Sequence, residues 1–125
     1  MGNCISKKIN DLIGEYHETS RAIKQHSLYN TLLNFNTNSF RKYRDVSLAH
    51  YIKEYNSIEN LLSIVINGGY TIFKSIEDEQ YYVMECYFVI VRDYNNENDF
   101  SEENLKNYIK RLNMVLEIFN KYSKM

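Results

Sequence analysis

The chain has 125 residues, of which 44% are hydrophobic and 25% charged, and its formal net charge is −1. This size and composition predict one folded domain, 1–125, with a single hydrophobic core, and exclude an intrinsically disordered chain. The nearly balanced charge excludes a global attraction to nucleic acid, and the lack of proline permits long helices.

The first segment with helical periodicity begins at the N-terminus. Its apolar positions are Ile5, Ile9, Leu12, Ile13, Tyr16 and Ile23. Their spacing of three and four residues predicts a helix. The pattern continues through Leu28, Leu32 and Leu33, and we expect the polar stretch NFNTNS, 34–39, to interrupt it. The histidines His17 and His26 do not have the spacing of helical metal ligands, and a structural role is expected for both.

The second segment carries one apolar stripe. Its members are Val46, Ala49, Ile52, Tyr55, Ile58, Leu62 and Val65. This stripe predicts a second helix that ends at Asn67–Gly69, because glycine readily takes the left-handed conformation that closes a helix.

The third segment, SIEDEQYYVMECYFVIVRDY, has two interpretations. As a helix it begins after Ser75, which acts as N-cap, and Asp78, Glu85 and Arg92 line one polar edge. The alternative is an α+β fold with a hairpin at about 70–93, because both YTIFKSI and YYVMECYFVIV are rich in β-branched and aromatic residues. We prefer the helix, because YYVMECYFVIV lacks a clean alternation of polar and apolar residues.

The fourth segment is a helix with Ser101 as N-cap and Phe100 and Leu105 spaced as a hydrophobic staple. Its predicted core stripe is Leu105, Tyr108, Ile109, Leu112, Val115, Leu116, Phe119 and Tyr122. Four amphipathic segments with short connections predict an all-α fold, an antiparallel four-helix bundle.

The stretch RDVSLAH, residues 44–50, combines groups that suit phosphate chemistry. If a helix begins at about Asp45 as N-cap, its first-turn amides favour a bound phosphate, and Arg44 can contact the same phosphate. His50 would then lie one turn into the helix and could transfer a proton near neutral pH. These groups suffice for cleavage of RNA without a metal or other cofactor. Because one histidine cannot easily make both proton transfers, a homodimer with two copies of the site is expected.

The same residues resemble the signature of HEPN domains, small helical bundles in which arginine and a polar residue precede a histidine. RDVSLAH is similar to the form found in some abortive-infection members, although Ile52 replaces a tyrosine that is common in toxin members. The resemblance implies a dimeric, metal-independent ribonuclease of the toxin or defence type, or an inactive relative that acts on RNA as a dimer. It also implies that Arg44 and His50 are catalytic at the dimer cleft, with Asp45 as the supporting polar residue.

The N-terminal stretch MGNCISKK suggests a second function. Gly2 and Ser6 match the N-myristoylation pattern, Cys4 is placed for a second acyl chain, and Lys7 and Lys8 add attraction to anionic lipid. The alternative is therefore an acylated peripheral membrane adaptor without enzymatic activity. The N-terminus does not resemble a secretory signal, and Cys4 and Cys86 form no disulfide framework, so a cytoplasmic location is expected, with membrane association only if Gly2 is acylated.

Charge is distributed unevenly. The stretch from Arg21 to Lys53 contains six basic residues and one acidic residue. The stretch from Glu77 to Glu103 contains nine acidic residues and one basic residue, Arg92. A third interpretation is therefore a small helical inhibitor or immunity-type protein that binds a protein partner through the acidic region 77–103. No metal site is expected in any of the three interpretations.

Overall fold

The structure is a computed structural model that describes the backbone of residues 2–39, 48–68, 73 and 75–124, and the side chains of 7–34, 52–68, 73 and 75–124. Within these residues the chain forms six helices and no strand. The helices are α1 (Gly2–Gln25), α2 (Ser27–Ser39), α3 (Leu48–Tyr55), α4 (Ile58–Ile66), α5 (Ile76–Asn95) and α6 (Glu102–Ser123). The predicted all-α bundle is confirmed. The α+β alternative is wrong, because α5 occupies most of the region proposed for the hairpin.

The bundle is organised around α6. Near one end Lys8 of α1 forms an ion pair with Glu102, and near the other end His26 Nε2 lies 3.0 Å from Asn120 Oδ1, so α1 runs parallel to α6. Helix α5 runs antiparallel to α6. The antiparallel arrangement predicted from four segments thus describes α5 with α6, whereas α1 and α6 point the same way.

The first predicted segment is divided at His26 into α1 and α2. The ring nitrogen Nδ1 of His26 accepts a hydrogen bond from the Leu28 backbone N–H at 3.2 Å, in the manner of a helix cap. Because Nδ1 accepts, the ring proton lies on Nε2, which donates to Asn120. The interruption predicted at 34–39 is wrong, since α2 continues through these residues to Ser39.

The second predicted segment is divided at Asn56, which has a φ of 73°. Ser57 then caps α4, its hydroxyl accepting from the Asn60 backbone N–H at 3.1 Å. Asparagine tolerates the left-handed region and serine favours the cap, so the break has a local cause. Helix α4 ends where predicted, with Asn67 as C-cap and Gly68 at a φ of 104°.

Helices α5 and α6 begin as predicted. The Ser75 and Ser101 hydroxyls accept from the backbone N–H groups of Asp78 at 3.2 Å and Asn104 at 3.0 Å. The predicted core stripe of α6 is buried apart from Leu116, which is half-buried. The largest wholly buried side chains are Tyr82, Tyr87, Phe119, Ile23, Leu61, Leu62 and Met84. Three of these belong to α5. A helix that is buried on most of its sides needs apolar residues on those sides, which agrees with the largely apolar sequence of α5.

Candidate functional site

One of the three candidate catalytic residues, His50, lies at the start of α3, and the other two precede that helix in the sequence. His50 is the third residue of this helix, and its side chain lies outside the described residues. Arg44 and Asp45 lie outside the described residues entirely. The proposed convergence of these three groups therefore stays a prediction. What the structure does describe is the second half of α3 and the way in which that helix is attached to the bundle.

Helix α3 has one side against the core and one side in solvent. Ile52 and Tyr55 are half-buried and pack against the core, whereas Lys53 and Glu54 are exposed. The isoleucine at position 52, where toxin-type HEPN proteins often carry tyrosine, thus serves packing. Glu54 follows His50 by one helical turn, so the exposed side of α3 carries charge close to the candidate histidine.

The C-terminal end of α3 is fixed by hydrogen bonds across the break at Asn56. Asn60 donates from Nδ2 to the Tyr55 carbonyl oxygen at 2.8 Å, which satisfies one of the acceptors that a helix end leaves open. The Ser57 cap holds the following turn. These two hydrogen bonds connect the C-terminal end of α3 to the start of α4.

The candidate lipidation residues Gly2 and Cys4 lie in the first turn of α1, and the side chains of 2–6 are outside the described residues. Lys7 and Lys8 are exposed, and Lys8 forms an ion pair with Glu102 at 3.0 Å. Within the described chain, helices that are long and apolar enough to cross a membrane are absent. Two exposed lysines beside position 2 are compatible with contact to an anionic surface.

Two carboxylates at the start of α5 are buried, which the sequence analysis did not anticipate. Asp78 is 6% exposed and Glu79 4% exposed. Asp78 was expected on a polar edge, but one of its carboxylate oxygens is buried without a hydrogen-bond partner in the described part of the chain. Glu79 accepts a hydrogen bond from the Tyr122 hydroxyl at 3.1 Å. Burial raises the pKa of Glu79, although the Tyr122 hydroxyl and the Lys121 charge oppose the rise.

Aromatic side chains from α1, α5 and α6 form a second buried cluster. Tyr16 stacks on Tyr94 with ring centroids 3.6 Å apart, and Tyr108 meets both rings edge-on. The Tyr108 hydroxyl donates to a Glu97 carboxylate oxygen at 2.9 Å. Burial, and to a smaller extent the hydrogen bond to this carboxylate, raises the pKa of Tyr108 to about 12. The Tyr94 hydroxyl lies 3.4 Å from His17 Nε2, so His17 has a structural partner, as predicted.

The described residues contain no group of three or more side chains that could hold a metal ion. Cys86 is wholly buried in α5. Burial, and to a smaller extent the nearby Glu85 charge, raises the pKa of its thiol to about 12. A thiol in that state is protonated near neutral pH and does not act as a nucleophile.

The acidic region 77–103 does not form one exposed face. Its exposed carboxylates belong to Glu77 at the start of α5, and to Asp99 and Glu103 near the start of α6. The length of α5, roughly 30 Å, separates these two groups. Glu97 and Glu102 make hydrogen bonds or ion pairs within the chain. A partner that recognised the whole region would have to reach both ends of α5.

The chain was compared with protein-family models, with curated proteins and with solved structures, and none of them matches it.

Proposed function

We propose that this chain is a HEPN-like, metal-independent ribonuclease of the toxin or defence type that acts on RNA as a homodimer. The observation that carries the proposal is the Arg-Asp-x4-His pattern of residues 44–50, whose histidine lies in the first turn of a short helix on an all-α bundle. The bundle and the position of His50 in α3 support the proposal.

The chemistry requires two proton transfers and one charged group on the phosphate. His50 of one subunit removes the proton of a ribose 2′-hydroxyl, and that oxygen attacks the adjacent phosphorus. Arg44 stabilises the charge that develops on the phosphate oxygens, and Asp45 orients the site. A second copy of His50, from the other subunit, gives a proton to the leaving 5′-oxygen as its bond to phosphorus breaks. The products are a 2′,3′-cyclic phosphate and a 5′-hydroxyl.

The attachment of α3 supports this assignment, because a catalytic group needs a fixed backbone. Ile52 and Tyr55 pack on the core, and Asn60 holds the Tyr55 carbonyl. Lys53 is exposed on the same helix and adds positive charge near a bound RNA.

The test is cleavage of RNA by the purified protein in excess EDTA. We expect cleavage by the parent chain and a loss of at least about a hundredfold in each of Arg44→Ala and His50→Ala. A general acid–base group such as His50 contributes on the order of 10² to 10⁴ in rate, and a group that stabilises transition-state charge, such as Arg44, contributes on the order of 10² to 10³. Arg21→Ala is the matched control, since Arg21 is an exposed arginine on α1. Absence of cleavage over a range of RNAs, or equal loss in Arg21→Ala, would refute the proposal.

An acylated peripheral membrane adaptor is the second candidate, favoured by the MGNCIS pattern and by the exposed Lys7 and Lys8. Its test is the intact mass of the chain after coexpression with an N-myristoyltransferase. We expect the mass of one myristoyl group on the parent and none on Gly2→Ala. If the chain neither cleaves RNA nor accepts the lipid, a binding role of the inhibitor type replaces both candidates.

A further inference from the structure

One residue, His26, separates helix α1 from helix α2 and occupies the N-cap position of α2. An N-cap side chain accepts a hydrogen bond from a backbone N–H group of the first turn. In α2 the acceptor is ring nitrogen Nδ1 of His26, to which the Leu28 backbone N–H donates at 3.2 Å. Serine, threonine, aspartate and asparagine usually fill this position, and none of them changes its charge between about pH 5 and about pH 8, as histidine does. The cap of α2 thus depends on a titratable ring.

Helix α6 holds the same ring in one orientation. Because Nδ1 accepts, the ring proton lies on Nε2, which donates to Asn120 Oδ1 at 3.0 Å. The ring also meets Phe119 edge-on, with centroids 5.6 Å apart and an angle of 68° between the planes. Turning the ring over would put carbon atoms in place of both nitrogens, so both hydrogen bonds would be lost. The two contacts together therefore require one tautomer and one ring orientation.

A second proton on the ring changes one of these contacts and leaves the other intact. It binds Nδ1, the ring nitrogen that has no proton, and this nitrogen then becomes a donor. Two N–H groups would then point at each other where Leu28 now donates, so the cap is lost. Nε2 stays a donor, and its bond to Asn120 keeps the ring in place.

The charged groups around His26 do not offset this loss. Helix α2 carries no acidic or basic residue, and its titratable Tyr29 stays protonated because burial raises its pKa. Within one turn of the ring and of its contacts on α6, the charged residues are Lys24, Glu117, Lys121 and Lys124. Three of these four are cationic, and the Lys121 ammonium donates to carbonyl oxygens at the end of α4. In the described part of the chain His26 makes no ion pair with a carboxylate.

Helix α2 is marginal without its cap. It has 13 residues, and isolated helices of about that length are unstable in water. Among its described side chains Leu32 is buried, whereas Leu28, Tyr29 and Leu33 are half-buried. Without charged residues it also lacks the ion pairs that support a helix surface. The first turn of α2 therefore depends on the His26 cap more than the first turn of a longer or more deeply buried helix would.

We propose that His26 is a pH-dependent switch at the junction of α1 and α2, in which the neutral ring caps α2 and the imidazolium releases its first turn. The cap is complete above the pH range in which the ring gains its second proton, and it is lost as the pH falls through that range. Release is local, because the bond to Asn120 persists and keeps the end of α1 against α6. The switch depends neither on RNA cleavage nor on acylation of Gly2.

The test is amide hydrogen exchange of the full chain at about pH 7.5 and about pH 5, on either side of the usual histidine titration. Each measured rate is divided by the intrinsic rate of the unprotected amide at the same pH, which gives the protection of that amide. We expect the protection of the α2 amides to fall roughly fivefold at the lower pH relative to that of the α6 amides, because loss of an N-cap weakens a helix by about that factor.

Two histidine variants separate the cap from other effects of pH. His26→Asn supplies a side-chain oxygen that is a preferred N-cap acceptor and does not titrate, so the fall in α2 should disappear. His17→Gln removes the imidazole of α1, which contacts Tyr94, and should leave the fall in α2 unchanged. His50 is present in both variants, so its titration contributes equally to each.

A second measurement on the parent chain does not require a variant to fold. The nitrogen chemical shifts of the His26 ring should show the Nε2–H tautomer at neutral pH, and the Leu28 amide resonance should shift together with the ring titration. An Nδ1–H tautomer, unchanged protection of α2 at the lower pH, or an equal fall in His26→Asn would overturn the proposal. An equal fall in α2 and α6 would also overturn it, because the opening would then be global.

Discussion

Helix α6 and helix α3 differ in how the rest of the chain holds them. Eight residues of α6 are buried, among them Leu112 and Phe119 with no exposed surface, whereas the described part of α3 has only the half-buried Ile52 and Tyr55. Helix α6 thus contributes much buried apolar surface to the core, and the described side chains of α3 contribute less. Such a division lets residues near α3 change without loss of the fold.

The largest effect that tests this contrast is the loss of a core ring. Phe119→Ala should reduce the free energy of unfolding by about 3–5 kcal/mol, because it removes a wholly buried side chain and leaves a cavity. Ile52→Ala should cost only about 1 kcal/mol, because that side chain is half-buried. Urea denaturation followed by circular dichroism measures both. Equal losses in the two variants would contradict the division between α6 and α3.

The variant Ile52→Ala also bears on the proposed activity. Ile52→Ala removes a contact that orients α3, so RNA cleavage should fall further than the small loss of stability explains. Cleavage should be measured well below the unfolding midpoint of each variant, so that the folded fraction is the same. Cleavage by Ile52→Ala at the parent rate would mean that this contact does not position the site.

The buried carboxylate of Glu79, which contacts Tyr122 of α6, predicts a pH dependence of stability. Because burial raises the pKa of Glu79 above its usual value of 4.5, the folded state favours the protonated carboxyl. The stabilisation from this group is complete below the unfolded pKa and is lost as the pH rises through the raised pKa. Stability should therefore fall from mildly acidic towards neutral pH. Glu79→Gln should reduce this fall, and the exposed control Glu77→Gln should not. A steady rise of stability over that range would contradict the assignment.

Two tyrosine hydroxyls in the aromatic cluster should have opposite effects when removed. The Tyr16 hydroxyl is buried without a hydrogen-bond partner in the part of the chain that the structure describes, so Tyr16→Phe should be neutral or stabilising by up to about 1 kcal/mol. The Tyr108 hydroxyl donates to Glu97 and to the Asp93 carbonyl, so Tyr108→Phe should cost about 1 kcal/mol. Thermal unfolding of the two variants side by side tests the difference. A destabilised Tyr16→Phe would indicate a partner for that hydroxyl.

The features that sequence reasoning predicted correctly depend on local chemistry. Ser75 and Ser101 cap α5 and α6 through bonds to residues three positions ahead, and Gly68 ends α4 because its φ is positive. These contacts are made within a few residues, so a short stretch of sequence contains their whole cause. The all-α fold follows from the same local patterns.

The features that it missed have two causes, which are apolar periodicity that continues across a local break and neighbours distant in sequence. The apolar spacing of the sequence continues across His26 and Asn56, so periodicity alone does not indicate either break. His26 is held by Asn120 as well as by its cap contact, and no local pattern contains that partner. Asp78 was placed on a polar edge of the helix, and no position was predicted for Glu79. Their burial follows from the packing of α5 in the bundle. The convergence of Arg44, Asp45 and His50 stays a prediction, because two of these residues and the side chain of the third lie outside the described residues.

The last expected effect concerns the junction between α3 and α4. Asn56 has a φ of 73°, where side chains with a β-carbon are disfavoured and asparagine is tolerated better than alanine. Asn56→Ala should cost about 1 kcal/mol, whereas Asn56→Gly should be neutral or slightly stabilising. Because the described contacts of α3 are few, we expect amide hydrogen exchange in Asn56→Ala to accelerate in α3 and to stay unchanged in α6. Uniform acceleration in both helices would mean that α3 unfolds only together with the bundle, and the candidate site would then be as rigid as the core.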